Sequence, residues 1–242
     1  IGMVAGTHNR FAWLDFVPPE TGGADDGWSL GPVEGRGSMP WRPDSEVFSS
    51  TWAAYYAEME RLVAILMRLF ALALGLEAET FKDALVGHRS SMRAILYAEV
   101  SQAELSIAGG EVVRSPEHTD WGCVTVLLPD PNVGGLEVCG KDGTWKLIQP
   151  PPDGLVVNLG ELLKWWTRGA WVATPHRVLA RSGCCSQRLS VPYFGLVNRS
   201  TVLAPLVQGQ EPGERHKAPA VFTAGEFFDH HEEYSRPMQE SS

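Results

Sequence analysis

Residues 112–198 read VVRSPEHTDWGCVTVLLPDPNVGGLEVCGKDGTWKLIQPPPDGLVVNLGELLKWWTRGAWVATPHRVLARSGCCSQRLSVPYFGLVN. Short apolar and β-branched runs alternate there with turns rich in Pro, Asn, Asp and Gly, a pattern that predicts an all-β core. We expect a double-sheet jelly roll, because that architecture closes such strands around a cavity. The segment GELLKWW (160–166) is expected to form a helical turn. Trp165, Trp166 and Trp171 are expected to be packing residues, with a pocket for an aromatic substrate as the alternative.

Two side chains near the start of this stretch can meet at one metal ion. His118 and Asp120 are two positions apart, and alternate side chains of an extended strand point to the same face. His176 lies far along the chain and can complete the set when the fold returns. Two histidines and one carboxylate that leave the other metal positions open are typical of non-haem Fe(II) oxygenases. Taken alone, the His-x-Asp tripeptide fits equally well a turn histidine and a capping aspartate.

A second pair, Arg188 and Ser190, offers donors for an anion. These residues are also two positions apart, so a strand would present a guanidinium and a hydroxyl on one face. An arginine can hold a carboxylate through two parallel hydrogen bonds, and the serine adds one more donor. A metal triad followed by this anion clamp describes a site for a co-substrate that chelates the metal and carries a second carboxylate.

These features resemble the C-terminal catalytic core of the 2-oxoglutarate/Fe(II)-dependent dioxygenases. The similarity is to the branch that includes isopenicillin N synthase and the plant flavonoid and gibberellin oxidases, and it extends over most of residues 50–235. The matching pieces are HTDWGCVTVLLPD, VGGLEV, GTWKLIQPPPDGLVVNLGELL, WTRGAWVATPHRV and RLSVPYF. The resemblance implies a mainly β fold with flanking helices, in which a long N-terminal-side helix buttresses a double-stranded β-helix core.

The resemblance also implies cofactors and roles. Fe(II) would be held by His118, Asp120 and His176, and 2-oxoglutarate would chelate the iron while Arg188 and Ser190 hold its distal carboxylate. The co-substrate and O₂ would yield succinate and CO₂, and ascorbate can serve as a reductant. No catalytic residue beyond the metal ligands is expected.

Only one of the two residues of a plant-enzyme motif is present in this chain. Those enzymes carry an Asn-x-Tyr pair whose tyrosine reaches the 2-oxoglutarate tail, and here Tyr97 matches the tyrosine whereas Ile95 replaces the asparagine. The resemblance therefore implies that Tyr97 binds the co-substrate, with an ordinary strand tyrosine as the alternative. Arg93, where many relatives also have arginine, is expected to form a structural ion pair.

Three functions are compatible with this pattern. The first is an oxygenase that uses 2-oxoglutarate to hydroxylate or desaturate a small molecule, a specialised metabolite being the expected substrate. The second is an Fe(II) oxidase of the isopenicillin N synthase type, which does not use 2-oxoglutarate. The third is an inactive jelly-roll binding protein. Succinate release separates the first from the second, and the absence of Fe(II) and 2-oxoglutarate binding would identify the third.

The remaining sequence predicts one domain over 1–242. A long helix is expected to begin at Ser49, Ser50 or Thr51, because apolar residues then recur every three or four positions as far as Gly75. Relatives carry a further N-terminal segment, which we expect to be absent here. The expected segments are a loop-rich part (1–48), helices (49–88), a jelly-roll core (89–200) that opens with a strand at 91–97, and a C-terminal link and helix (201–242), with the helix at 224–235.

Composition narrows the classes of partner. The net charge is −9 and the pI is near 5.3, which argues against a nucleic-acid or anionic-membrane surface. No apolar run reaches the roughly 18–20 uncharged residues of a membrane span. We therefore expect a cytoplasmic monomer that acts on a small molecule, without a nucleic-acid or membrane partner.

Overall fold

The computed structural model describes residues 46–206 and 221–230 in full, and the backbone of two strands at 11–16 and 28–30. The helices are α1 (Glu46–Ala73), α2 (Lys82–Leu85), α3 (Gln102–Ile107), α4 (Glu161–Trp166) and α5 (Ala224–Asp229). The strands are β1 (Phe11–Phe16), β2 (Trp28–Leu30), β3 (Ser91–Tyr97), β4 (Glu111–His118), β5 (Val124–Leu128), β6 (Leu136–Cys139), β7 (Trp145–Leu147), β8 (Val156–Leu159), β9 (His176–Arg181), β10 (Arg188–Gly195), β11 (Val202–Leu203) and β12 (Phe222–Thr223).

The described strands form two main antiparallel sheets. The six-stranded sheet has the order β2-β1-β3-β10-β5-β8, and the four-stranded sheet has the order β4-β9-β6-β7. The loops that follow β4 and β9 carry the chain from the smaller sheet to the larger one. Side chains of both sheets line one cavity between them. The predicted β core with flanking helices is therefore confirmed.

Helix α1 covers the outer face of the six-stranded sheet. Its buried residues recur every three or four positions, which is the spacing of one helical face: Tyr56, Met59, Val63, Met67 and Ala71. The ring of Tyr56 packs edge-on against Tyr193 of β10, with the centroids 5.1 Å apart. The hydroxyl of Tyr56 donates to the backbone oxygen of Ser90, just before β3. The helix thus supports the two strands that carry the predicted anion clamp.

The four-stranded sheet contains a buried carboxylate. Glu137 of β6 accepts a hydrogen bond of 2.9 Å from Arg177 Nε and pairs with Arg181, both on β9. Burial raises the pKa of Glu137, but the hydrogen bonds from the two arginines more than offset it, so the pKa lies below its ordinary value. Because Arg177 follows His176 directly, this cluster fixes β6 beside the strand that carries a predicted metal ligand.

The structure corrects the prediction for residues 1–48. Strands β1 and β2 both lie inside this segment, which was expected to be rich in loops, and they extend the six-stranded sheet beyond β3. The predicted strand at 91–97 and the helical turn at 160–166 are confirmed by β3 and α4.

The predicted helix boundaries also need correction. Helix α1 begins at Glu46 rather than at a cap in 49–51, and the acidic residue in its first turn suits the positive end of the helix dipole. Its predicted end is confirmed, because Gly75 adopts a positive φ of 74° just beyond Ala73. The C-terminal helix is described only as α5, since residues 231–242 lie outside the described part. Among the described helices, none combines the length and the apolar character that crossing a bilayer requires.

Candidate metal centre and anion clamp

The two candidate histidines lie opposite each other on neighbouring strands of the four-stranded sheet. Strand register sets His118 of β4 directly opposite His176 of β9, and their ring centroids are 4.3 Å apart. Asp120 lies just beyond the end of β4, and its Oδ1 is 3.9 Å from Nε2 of His118 and 3.7 Å from Nε2 of His176. One ligand atom from each residue lies within 4.8 Å of the others. These distances suit a single ion with bonds of about 2.0–2.2 Å.

Backbone carbonyls orient both rings. Nδ1 of His118 lies 2.8 Å from the oxygen of Pro116, and Nδ1 of His176 lies 3.1 Å from the oxygen of Thr174. A carbonyl can only accept, so each Nδ1 donates its proton, which leaves Nε2 of each ring as the nitrogen that can bind a metal. Burial, followed by the neighbouring His176, lowers the pKa of His118 and favours this neutral form.

Two polar residues of the six-stranded sheet hold the carboxylate. Oδ2 of Asp120 accepts hydrogen bonds from Thr125 Oγ1 at 2.6 Å and from Asn158 Nδ2 at 2.8 Å. Thr125 and Asn158 are cross-strand partners on β5 and β8. Since Oδ2 is occupied, Oδ1 is the oxygen turned to the histidines. Sequence analysis missed both residues, although a lone polar side chain inside each apolar strand, VTVLL and VVNL, was the available signal.

A glycine allows the loop that carries Asp120 to approach the start of α4. A Cβ at Gly160 would overlap the carbonyl oxygen of Gly122 and lie 2.9 Å from that of Asp120. The close approach lets the backbone N–H of Glu161 donate to the oxygen of Asp120 at 2.8 Å. Hydrogen bonds therefore hold the backbone of Asp120 as well as its side chain.

The candidate anion clamp lies on the six-stranded sheet. Arg188 of β10 is directly opposite Tyr97 of β3, and its guanidinium carbon is 5.3 Å from the centroid of the tyrosine ring. Ser190 lies two residues further along and is hydrogen-bonded to Tyr97. Burial raises the pKa of Tyr97, so its hydroxyl stays protonated and can donate. Register sets Ile95 opposite Ser190.

Arg188 is the buried cation of this site. Arg188 is only 2% exposed, and its Nε has no hydrogen-bond partner among the described residues. Burial lowers the pKa of the guanidinium, which reflects the cost of holding a charge away from water. An unsatisfied buried donor of this kind suits an incoming anion.

One cavity of about 840 Å³ joins the two groups. Its wall includes the three candidate metal ligands, the three candidate clamp residues and apolar side chains from both sheets. Ile95, Leu136 and Val178 surround Tyr97 at the clamp end. A small co-substrate can thus lie between Arg188 and the triad while the rest of the cavity stays open to another molecule.

Comparison with known proteins indicates the same kind of site. Residues 89–196, which include all six candidate site residues, match the family described as the 2OG-Fe(II) oxygenase superfamily. The chain belongs to this superfamily. That stretch runs from just before β3 to just after β10, and so includes every strand whose described side chains line the cavity.

Curated members of the superfamily include close sequence relatives. The chain is 30% identical to the 2-oxoglutarate-Fe(II) type oxidoreductase hxnY of Emericella nidulans over 82% of this chain and 56% of that protein. It is 32% identical to the homoarginine-6-hydroxylase 2-ODD-C23 of Glycine max over 71% of this chain and 51% of that protein. The chain therefore spans about half the length of these relatives.

A solved structure supports the fold. The full-length Neurospora crassa T7H in complex with alpha-KG matches with a TM-score of 0.76 at 24% identity, over 93% of this chain and 65% of that chain. Together with the family match, this likeness confirms the predicted double-stranded β-helix architecture.

Other residues singled out from the sequence have definite places. Trp166 is buried and Trp165 packs against the core, as expected of packing residues. Trp171 both packs edge-on against Phe70, with centroids 5.4 Å apart, and lines the cavity. The guanidinium of Arg93 also lines the cavity, and its carbon lies 5.8 Å from the ring centroid of Phe194.

Proposed function

We propose that the chain is the catalytic part of an Fe(II)- and 2-oxoglutarate-dependent oxygenase that hydroxylates or desaturates a small molecule and releases succinate and CO₂. The observation that carries the proposal is the pairing of two features in one cavity. A facial set of two imidazole nitrogens and one carboxylate lies on one side, and the buried Arg188, whose Nε has no hydrogen-bond partner among the described residues, lies on the other. A metal-chelating diacid needs both.

The donor set fits ferrous iron. Two neutral imidazoles and one carboxylate on one face form the set that non-haem Fe(II) oxygenases use, and three positions of an octahedral ion would stay open. In this assignment His118, Asp120 and His176 hold the metal, while Thr125 and Asn158 restrain the carboxylate. The iron, when bound, supplies the activation of O₂ and the oxidation of substrate.

The clamp fits the distal carboxylate of 2-oxoglutarate. Arg188 can offer a bidentate pair of N–H donors, and the hydroxyls of Ser190 and Tyr97 lie beside it. The surrounding apolar side chains suit the methylene groups of the co-substrate. These residues thus bind and orient the co-substrate and keep water from its buried end.

An anaerobic titration tests the proposal. Fe(II)-loaded protein titrated with 2-oxoglutarate should develop a weak visible metal-to-ligand charge-transfer band that saturates. The Asp120→Ala variant should lose the band because it lacks the carboxylate ligand. A wild-type protein that binds Fe(II) but never develops the band would refute the co-substrate assignment.

One observation favours a second candidate, the oxidase that does not use 2-oxoglutarate. Ile95 stands where the plant enzymes have asparagine, lines the cavity and lies opposite Ser190. An aliphatic side chain there offers the co-substrate no hydrogen bond. Substrate turnover without succinate would support this candidate.

The wider properties belong to the same proposal. The homoarginine-6-hydroxylase of Glycine max is named for a small-molecule substrate, and we infer a small-molecule substrate for this chain as well. We also propose a single domain over 1–242 and a cytoplasmic monomer. We propose no nucleic-acid or membrane partner either, and the net charge of −9 supports this part of the proposal.

A further inference from the structure

A second buried arginine, Arg114, lies near the candidate anion clamp. It is the one buried residue of β4 and is only 2% exposed. The pairing of β4 with β9 shifts by one residue between Val113 and Ser115, so Arg114 is inserted there as an extra residue. Bulges of this kind redirect a side chain. The guanidinium of Arg114 is thus directed from the four-stranded sheet into the interior of the protein.

Among the described residues, every hydrogen bond of this guanidinium goes to a backbone oxygen. Nη2 of Arg114 lies 2.6 Å from the oxygen of Ser186, 2.7 Å from that of Cys185 and 3.0 Å from that of Ala98. Nη1 lies 3.5 Å from the oxygen of Cys184. A single guanidinium therefore joins the backbone at position 98 to the turn at 184–186.

These backbone oxygens lie next to the two strands that carry the clamp. Ala98 directly follows Tyr97, the last residue of β3. Ser186 lies two residues before Arg188, the first residue of β10. Tyr97 and Arg188 are cross-strand partners. Arg114 thus ties the end of β3 to the start of β10 beside this pair, and it does so from the opposite sheet.

The turn that Arg114 binds has apolar surroundings. The N–H of Val100 donates to the oxygen of Cys185 at 2.8 Å, so this carbonyl accepts from both Val100 and Arg114. Val100, Leu105 and Ala180 form a buried cluster, and Cys185 packs against it. A hydrogen bond in such surroundings is electrostatically stronger than in water. The guanidinium therefore restrains this turn more strongly than an exposed arginine would.

Arg114 also interacts electrostatically with the clamp. Burial lowers the pKa of Arg114, and the positive charge of Arg188 lowers it further. Burial raises the pKa of Tyr97, and the charges of Arg188 and Arg114 both oppose that rise. Arg114 is therefore a near neighbour of both clamp residues.

We propose that Arg114 is a positioning residue for the co-substrate, which holds Tyr97 and Arg188 in the arrangement that binds the distal carboxylate of 2-oxoglutarate. Arg114 is not among the described residues that line the cavity. It acts through the backbone segments that carry the two clamp residues. The inference rests on the proposed function, because it assumes that the clamp receives this carboxylate.

The test compares two keto acids that differ only at the clamp end. 2-Oxoglutarate and 2-oxopentanoate share the carbon chain and the chelating keto acid group, but only 2-oxoglutarate has a distal carboxylate. Fe(II)-loaded protein is titrated anaerobically with each, and the visible charge-transfer band gives the two dissociation constants. Wild type should bind 2-oxoglutarate about 10- to 150-fold more tightly, the contribution of hydrogen bonds to a charged group. This ratio reports on the clamp, because changes at the metal affect both keto acids alike.

Arg114→Met should lower the ratio about three- to tenfold, because the lost hydrogen bonds no longer restrain the clamp strands. The affinity for 2-oxopentanoate should stay nearly unchanged, since the metal ligands and the residues that hold Asp120 are kept. Arg199→Met is the control. Arg199 also donates to a backbone oxygen, that of Gly225 at 3.4 Å, and it is not among the described residues that line the cavity. This variant should keep the wild-type ratio.

Arg114→Lys carries the test if the methionine variant does not fold. Lysine keeps the positive charge but lacks the planar fork that reaches four carbonyls, so the ratio should fall about two- to fivefold. Failure of wild type to bind 2-oxoglutarate, or equal affinity for the two keto acids, would overturn the proposed function. If wild type discriminates, three results overturn the present inference alone. These are a wild-type ratio in the Arg114 variants that fold, an equal weakening of both keto acids, and an equal fall of the ratio in Arg199→Met.

Discussion

Replacing Arg188 with methionine should change co-substrate affinity and protein stability in opposite directions. The guanidinium is almost fully buried, and its Nε lacks a hydrogen-bond partner among the described residues. Ile95, Leu136 and Val178 form apolar surroundings at this end of the cavity. Methionine is unbranched and flexible, so it can fill the same space without a charge.

The magnitudes follow from the contacts that are lost. Hydrogen bonds to a charged group contribute about 1.5–3 kcal/mol, so 2-oxoglutarate should bind the Arg188→Met variant about 10- to 150-fold more weakly. An unsatisfied buried polar group costs about 1–3 kcal/mol, and removing it should stabilise the protein without co-substrate by about 1 kcal/mol or more. For a chain of this size, each kcal/mol raises the midpoint of thermal unfolding by about 2–4 °C.

Calorimetric titration with 2-oxoglutarate and thermal unfolding without it measure the two effects. Arg61→Met is a suitable control, because Arg61 lies on α1 with its side chain 66% exposed and pairs only at the surface with Glu58. It should leave both quantities nearly unchanged. Equal co-substrate affinity in wild type and Arg188→Met would refute the clamp. A less stable Arg188→Met protein would mean that the guanidinium stabilises the fold, whereas the clamp assignment requires it to cost stability when no co-substrate is bound.

Three further substitutions test the supports of the site. Asn158→Ala removes one of the two donors to Asp120, so Fe(II) affinity measured by competition with a chelator should fall about 10- to 100-fold while 2-oxoglutarate affinity of the apoprotein is kept. Gly160→Ala forces a Cβ into the backbone of the loop that carries Asp120, and chemical denaturation should show a loss of roughly 1–3 kcal/mol together with weaker metal binding. Glu137→Gln should destabilise the protein by about 1–3 kcal/mol at pH 7. Since the pKa of Glu137 is lowered on folding, its contribution is present above the ordinary value of 4.5 and is lost as the pH falls through the folded value. Stability curves of wild type and Glu137→Gln that stay equally far apart below that range would contradict this assignment.

The core strands could be predicted from the sequence because their signals are local. Turn residues bound each apolar run, and the predicted strand at 91–97 coincides with β3. Alternation along a strand also predicted that Arg188 and Ser190 share a face, and both line the cavity. The edge strand β2 was missed because it lies in a segment rich in glycine, proline and aspartate. Strand β1 was missed although its sequence, FAWLDF, is apolar and aromatic, because pairing with β3 decides its structure.

Helix α3 had a local signal that was overlooked. Ser101 and Glu104 form a capping box, in which Ser101 Oγ accepts from the N–H of Glu104 and the glutamate side chain accepts from the N–H of Ser101. The supports of Asp120 are a different case. Thr125 and Asn158 reach it from two other strands, and the pairing of strands distant in sequence cannot be read from single-strand patterns.

The position of Asp120 places the candidate metal centre where the two sheets meet. Its neighbour His118 and the distant His176 belong to the four-stranded sheet, whereas Thr125 and Asn158, which hold its carboxylate, belong to the six-stranded sheet. The same six-stranded sheet carries Arg188 and Tyr97. A metal held by the triad would therefore be fixed relative to the clamp through β5 and β10, which are adjacent strands. The distance that a chelating diacid must span thus depends on the register of the six-stranded sheet, through Asp120, and on the packing of the two sheets, through the histidines.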